Sequence, residues 1–563
     1  MSHCRWNLLP PVTSLPEKGG STDYSPLLIQ LLHNRGINKL DDIKSFIASD
    51  RTLMADPFLF TDMQKVVERV QQAVQKGETI AIYGDFDADG ITSTALLTQG
   101  LGLLGGKTIP YIPHRQTEGH GLTTQVLKML HEKGVGLVIT VDCGVTDVAE
   151  VQSAAEMGLD VIITDHHSPL DEIPKALAVI NPKVGEQYPY TNLAGVGVAL
   201  KLLQALYRSE GKEDQLNTVM DLVAIGTIAD MSSPLGENRY FIKEGLNTMN
   251  NSPRLGIREL INQTRLEAGK IDAEKIGWVI APCLNAAGRL ADGLTGYHLL
   301  TTQSEKEAQE LASWLTRTNE ERQRLTTTTL AKAREQVIAT GLQPLLITAN
   351  KEYPMGIAGL VASRLTEEFY RPSVVIHVAD DVCHGSCRSI PEFDIIAALN
   401  KYSGYLSRYG GHAAAAGFTM PCKDLPQLEK ELIAFATQKL TGVELQPHLN
   451  IDAEVKLNDL GGDVYPTTLL LAPFGHGNPV PTFLSRGVNV VERRTMGATN
   501  DHLRMRLMQG STVWDAVAFR LSNHQEEFAQ QIDVVYNLEV DTWNGKNTLR
   551  LNILDFKKSV GQE

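Results

Sequence analysis

Ile82-Tyr83-Gly84-Asp85-Phe86-Asp87-Ala88-Asp89-Gly90-Ile91 sets three carboxylates at alternate positions directly after the apolar run Thr79–Tyr83. In a strand or extended turn, residues i, i+2 and i+4 project to one side, so Asp85, Asp87 and Asp89 can converge on one point. Carboxylates that close repel one another unless a cation sits among them. Thr92, Ser93 and Thr94 follow at the expected start of a helix, where backbone N–H groups suit phosphate. The bare pattern leaves two readings open. One is a metal–phosphate site; the other is an exposed acidic turn or a single Ca²⁺ loop of the D-x-D-x-D-G kind, although the longer acidic spacing and closing Glu of an EF-hand are missing.

Outward from this stretch the pattern alternates: helix over 63–76, strand over 79–83, helix over 92–104, strand over 108–112. Such alternation signals a parallel sheet with helical crossovers. The second strand runs into Arg115 and then Glu118-Gly119-His120-Gly121-Leu122, ahead of a helix over 123–133. Strand 136–141 ends in Asp142-Cys143-Gly144, and strand 160–164 in Asp165-His166-His167. Open α/β sheets place ligands at the C-terminal ends of their strands, and here four strand ends deliver acid, arginine or imidazole to one edge. The glycines of Leu193-Ala194-Gly195-Val196-Gly197-Val198-Ala199 lack the fuller dinucleotide fingerprint and read as helix packing. The apolar run 221–230 is bounded by Asp221, read as a helix cap, and Asp230, a candidate last ligand.

At 563 residues the chain is long enough for about three to four domains. Its 42% hydrophobic and 21% charged content is that of a globular protein, not a disordered one. A net charge of −14 excludes a generally basic surface but not a local basic groove. No run reaches the ~18 apolar residues of a membrane span and residues 1–12 lack an apolar signal core, so a cytoplasmic protein is expected. The six cysteines show no C-x-x-C pair and read as reduced thiols; Cys383-His384 with Cys387 lacks a second ligand pair for zinc.

Residues 1–62 hold helix-like pieces at 26–34 and 39–47 and read as a small cap. The polar stretch 305–341, with Arg317, Arg322 and Arg324, reads as a connecting helix. Strands at 345–348 and 373–378 around a helix at 357–370 make a second α/β unit, with Ser386, Arg388 and His412 expected on Gly-rich turns. Strands at 489–495, 502–508, 513–519, 532–540 and 548–554, with Asn544-Gly545 as a turn, fit a small β-barrel. Arg493, Arg494, Arg504 and Arg506 offer charge, and Trp514, Phe519 and Trp543 offer stacking faces or barrel core.

In their order and spacing, Asp85 to Gly90, Asp142-Cys143-Gly144, Asp165-His166-His167 and the 221–230 run resemble the four motifs of the DHH phosphoesterase superfamily. Leu284-Asn285-Ala286-Ala287-Gly288-Arg289-Leu290, the stretch 356–365, Gly385-Ser386-Cys387-Arg388-Ser389, Gly410-Gly411-His412-Ala413 and Ala472-Pro473-Phe474-Gly475-His476-Gly477 resemble one branch of it, the bacterial RecJ single-strand-specific DNA exonucleases. The resemblance implies an α/β fold: a helical cap (1–62), a parallel-sheet DHH domain (63–235), a helical connector (236–340), a second α/β domain (341–442) and a C-terminal OB-fold β-barrel (443–563). It implies 5′-to-3′ hydrolysis of single-stranded DNA in repair and recombination, with two Mn²⁺ or Mg²⁺ ions. The ligands it implies are Asp87, Asp89, Asp142, His166 and Asp230, with Asp142 the bridge; His167 is a ligand or a phosphate contact, and Asp85 and Asp165 are either ligands or orienting groups. Arg115, His120, Arg289, Ser386, Arg388 and His412 would contact the strand. A single-strand-binding protein and a helicase are the implied partners of a monomeric chain that engages no membrane. Two places depart from the family pattern: Tyr353-Pro354-Met355-Gly356 stands for the usual Trp-His-Pro-Gly, and His120 for a Tyr. A DHH phosphodiesterase of short oligonucleotides or cyclic dinucleotides is the alternative, and it would normally lack the barrel.

Overall fold

The structure is a computed structural model that describes residues 4–12, 24–115, 117–497, 500–522, 529–541 and 548–559. Two compact units form, one of Met54–Ser232 with Gly236–Leu445 and one of Met1–Leu53 with Ser233–Leu235 and Gln446–Glu563.

In the first, β1 (Thr79–Tyr83), β2 (Lys107–Tyr111), β3 (Val135–Val141), β4 (Asp160–Thr164) and β5 (Ala178–Ile180) make a parallel sheet in the order β2-β1-β3-β4-β5. The runs Thr-Ile-Ala-Ile-Tyr and Asp-Val-Ile-Ile-Thr are β-branched and almost wholly buried, as strands covered on both faces must be. The expected strands are found; β5 is an addition to them, because three residues carry too little pattern to be read. Helix α1 (Ala88–Leu103) follows β1, and α2 (Gly195–Ser209) and α3 (Met220–Ala229) pack on it, which buries α1 around nearly its whole circumference. Because β1, β3 and β4 are neighbours, the residues just past their ends share one edge.

Helix α4 (Ala281–Leu290) leads to the long helix α5 (Glu305–Ala339), which Ser304 caps by accepting from Glu307 N. Then β6 (Leu346–Asn350), α6 (Ala358–Phe369), β7 (Ser373–Val378), β8 (Val382–Arg388), β9 (Arg408–His412) and β10 (Ala415–Pro421) form a second sheet, ordered β9-β10-β8-β7-β6. Only β6 and β7 pair in parallel. Ser386 and Arg388 therefore lie within a strand and His412 ends one, where the glycines point to turns. Buried Cys383, Gly385 and Cys387 alternate with the more exposed Ser386 and Arg388, a period-two pattern that outweighs the single glycine. Cys383 is joined to Cys422 in a disulfide with a Cα–Cα distance of 5.2 Å, which corrects the reading of all six thiols as reduced. The register of β10 on β8 places Met420 opposite Cys383 and so brings Cys422 alongside. Tyr353 is buried and its hydroxyl pairs with Thr348 Oγ1 and Gln336 Oε1, at 2.8 and 3.0 Å, so this departure from the family pattern is a core anchor.

In the second unit, β11 (Phe483–Met496), β12 (His502–Gln509), β13 (Thr512–Ala518), β14 (Gln531–Asp541) and β15 (Thr548–Lys558) close a barrel in the order β11-β12-β13-β15-β14, with β14 paired back to β11. β11 begins at Phe483 rather than near 489, because a register shift between Ser485 and Val488, at Gly487 with φ 63°, interrupts its alternation. The helices Pro26–His33 and Leu40–Ala48 lie where their periodicity puts them. Their Leu28, Leu31, Leu32, Ile43 and Phe46 share one apolar cluster with Phe483, Leu503 and Tyr536 of the barrel, and Arg5–Leu8 pairs with His448–Ile451. Trp514 donates from Nε1 to Leu457 O at 3.0 Å and packs on the barrel core, whereas Phe519, Arg493, Arg494, Arg504 and Arg506 are exposed. Trp543 and the Asn544-Gly545 turn lie outside the described residues. No described helix is long and apolar enough to cross a membrane.

Candidate active site

The acidic stretch converges, though not by strand alternation. Asp87 caps α1, accepting from Asp89 N and Gly90 N at 2.9 and 3.2 Å, so Asp85 lies before the helix and Asp89 in its first turn. This also corrects the phosphate reading of Thr92 to Thr94. The helix starts a turn earlier, its first amides are taken by Asp87 and by Asn285 Oδ1, and the Thr92 and Thr94 hydroxyls donate back to carbonyls at Ala88 and Gly90. Asp142 follows β3 with φ 62°, a left-handed conformation that Asp tolerates better than most residues.

Past β4, Asp165 uses both oxygens internally. Oδ1 accepts from His166 N, His167 N and His167 Nδ1 at 2.7, 3.0 and 2.8 Å, and Oδ2 accepts from Val145 N at 2.9 Å. Burial opposes its charge, but the bonds and charge of His167 hold its carboxyl well below the usual range. Asp165 thus holds the His167 imidazole and the backbone of His166. His166 Nε2 stands 3.1 Å from Asp142 Oδ1 and 4.0 Å from Asp89 Oδ2, and its Nδ1 is 3.9 Å from Asp230 Oδ2 at the end of α3. Three sets of donor atoms, each within 4.8 Å of one another, result: Asp142 with His166 and His167, Asp89 with His166 and Asp230, and Asp85 with Asp87 and Asp142. Asp142 and His166 each belong to two of them.

Sequence reasoning missed what holds Asp89. Its oxygens accept from Gly195 N and Val196 N, the first amides of α2, at 2.7 and 2.9 Å. A Cβ on Gly195 would lie 2.6 Å from Asp142 Oδ1, so this glycine serves the site and not only helix packing. Asp221, expected as a cap, forms a buried pair with Arg254, with Nε to Oδ2 at 2.6 Å.

Burial raises the Asp87, Asp89 and Asp142 carboxyls above the ordinary range, and like charge adds to it: Asp85 acts on Asp87, Asp230 on Asp89, and Asp89 on Asp142. Burial lowers His166, which keeps its ring neutral and able to ligate. At an effective dielectric of about 20, each pair of charges at about 4 Å costs about 4 kcal/mol. Several such pairs would rival a whole domain's net stability of about 5–15 kcal/mol, and cations reverse the sign. The residues fit divalent metal: Asp85 Oδ1 and His166 Nε2 are buried without a hydrogen-bond partner, and an oxygen-rich donor set with imidazole suits Mn²⁺ or Mg²⁺.

Around this centre stand the cationic side chains. His120 Nδ1 is 3.1 Å from Asp85 Oδ2; burial opposes its charge, yet Asp85 carries it up to about 9. The Arg115 guanidinium lies 4.7 Å from the Phe86 ring centroid. Arg289 Nη1 donates to Gly356 O at 3.3 Å, and Arg388 Nη1 to Cys387 O at 2.7 Å. Burial lowers Arg289 to about 9, and the charges of Arg115, Arg322 and Arg388 add to this; the sequence marks Arg322 only as part of a connecting helix. None of these four arginines has a carboxylate within salt-bridge distance among the described residues, an arrangement that favours an anionic ligand. His412 ends the exposed strand β9 and bonds to none of the acids among the described residues.

Matches to known proteins follow the same layout. The DHH family N-terminal domain matches residues 79–227, the DHHA1 domain 341–440 and the RecJ OB domain 451–555. The single-stranded-DNA-specific exonuclease RecJ of Bacillus subtilis is 35% identical over 100% of this chain and 72% of its own length. That of Escherichia coli is 30% identical over 94% and 96%. The crystal structure of Thermus thermophilus RecJ in complex with Mn²⁺ superposes with a TM-score of 0.86 at 30% identity, over 100% of this chain and 80% of that one. With all three domains and every motif acid and histidine in place, the chain belongs to the RecJ family of the DHH phosphoesterases.

Proposed function

We propose that the chain hydrolyses single-stranded DNA from the 5′ end, one phosphodiester at a time, at the acid–histidine centre. The observation that carries this is the set of donors shared through Asp142 and His166, with buried oxygen and nitrogen left unpaired. Asp87, Asp89, Asp142, His166, His167 and Asp230 would hold two divalent cations, Mn²⁺ or Mg²⁺, with Asp142 between them. Bound there, the pair supplies charge relief at the scissile phosphate and a more acidic attacking water. Asp165 fixes the His167 ring through Nδ1, and Nε2 has no hydrogen bond among the described residues, while the α2 amides fix Asp89. His120, charged at neutral pH beside Asp85, offers Nε2 to a phosphate oxygen.

Arg115, Arg289, Ser386 and Arg388 form the pocket for a terminal 5′-phosphate, which carries more charge than an internal one. Ser386 and Arg388 sit two apart on β8 and so face the same way. An enzyme confined to single strands calls for a helicase and a single-strand-binding protein nearby, and cytoplasmic DNA repair and recombination is the setting this chemistry fits. The test compares 5′-phosphorylated with 5′-hydroxyl single strands on wild type and Arg388→Ala. Wild type prefers the phosphorylated end. The variant loses that preference, with a cost of about 1.5–3 kcal/mol in binding, and keeps its metals. Equal treatment of both ends by wild type, or digestion from the 3′ end, rejects the pocket.

A further inference from the structure

β9 pairs with β10 on one side only, and all five of its residues, Arg408 to His412, are exposed. Alternation puts Arg408, Gly410 and His412 on one face. At one end, the Arg408 guanidinium reaches the loop that carries His120: a Cβ on Gly119 would lie 3.7 Å from Arg408 Nη1. That loop's only carboxylate is committed elsewhere, since Glu118 accepts from Tyr111 Oη at 2.6 Å and from His114 N at 2.6 Å. The Arg408 guanidinium has no ion pair or hydrogen bond among the described residues. Gly411 has a fold reason to be glycine, with φ 139° and Ala415 O 2.4 Å from where its Cβ would lie. Gly410 has none: its φ is not left-handed and nothing lies within 4 Å of where its Cβ would be. The fold leaves open space beside an unpaired cation next to the acidic centre.

We propose that this face of β9 carries the DNA backbone on its way to the site, with Arg408 binding an internal phosphate, distinct from the terminal-phosphate pocket. The proposal rests on the reading of the chain as a single-strand exonuclease. Charge complementarity and continuity with the His120 loop identify the occupant as a polyanionic single strand. In that role Arg408 is a positioning residue: it changes how tightly the strand is held and leaves the chemical step alone.

The test is steady-state digestion of a 5′-phosphorylated single strand with Mn²⁺ by full-length wild type, Arg408→Ala, Arg408→Lys and Gly410→Val. For Arg408→Ala, KM rises about tenfold with little change in kcat, and the slope of log KM against log salt falls by about one phosphate contact. Arg408→Lys keeps most of the slope, and Gly410→Val, which adds bulk and removes no contact, raises KM. The ratio between 5′-phosphorylated and 5′-hydroxyl strands stays at the wild-type value. Unchanged KM and slope in Arg408→Ala, a fall in kcat at constant KM, or a lost 5′-end preference would each overturn the proposal. Wild type that cuts no single strand would instead sink the functional reading beneath it.

Discussion

Asp142 holds a left-handed backbone, φ 62°, that costs a non-glycine residue about 1–3 kcal/mol and persists because its neighbours dictate it. Its carboxylate adds like charge to a buried cluster, so Asp142→Ala should raise the melting temperature of the metal-free protein; a lower one would contradict the repulsion argument. The pH dependence has a definite sign. Carboxyls raised by folding stabilise below the ordinary carboxylate range and lose that contribution as pH rises. His120 stabilises fully below its unfolded value of about 6.5 and loses this as pH rises through about 9. The metal-free protein should therefore melt lower as pH is raised from about 6.5 to 9, and saturating Mn²⁺ should flatten the trend; a metal-free profile that is already flat would count against it. The acids themselves were legible because D-x-D-x-D-G and the strand-end motifs are local in sequence. The need for glycine at 195 was not, since it depends on Asp142 approaching from another strand.

Helix α2 acts as a clamp at the scale of the element, with its first amides on Asp89 and its first residue against Asp142. Gly195→Ala places a methyl 2.6 Å from Asp142 Oδ1, so helix or carboxylate must shift. Mn²⁺ affinity should fall about 10–100-fold, the range expected when support behind metal ligands is disturbed, with far-UV circular dichroism unchanged. Wild-type affinity in a calorimetric titration would show that the close approach is not needed. Four of the five strands of the first sheet were legible from their apolar runs, and the three-residue β5 was not. β8 was not, because Gly385-Ser386 carries a turn signal that masks the alternation of Cys383, Gly385 and Cys387.

The whole molecule groups residues from both halves of the sequence in one unit, in which Leu28, Leu31, Leu32, Ile43 and Phe46 share the barrel's core. Nothing local in the sequence could reveal that Arg5–Leu8 pairs with His448–Ile451, whereas each barrel strand announces itself by alternation. Removing the barrel alone strands the helices Pro26–His33 and Leu40–Ala48 without their apolar partners, so the informative truncation keeps residues 54–445. That chain should still hydrolyse short oligonucleotides but bind long single strands more weakly, with a shallower salt dependence; an unchanged slope would remove the barrel from strand binding. The function as a whole is tested most directly by digesting 5′-labelled single-stranded and duplex DNA under saturating Mn²⁺ with wild type and Asp142→Ala side by side. Wild type should release nucleotides from the single strand and spare the duplex, and Asp142→Ala should leave both intact. More than a few per cent of residual activity in the variant, or equal digestion of duplex by wild type, would contradict a single-strand exonuclease centred on Asp142.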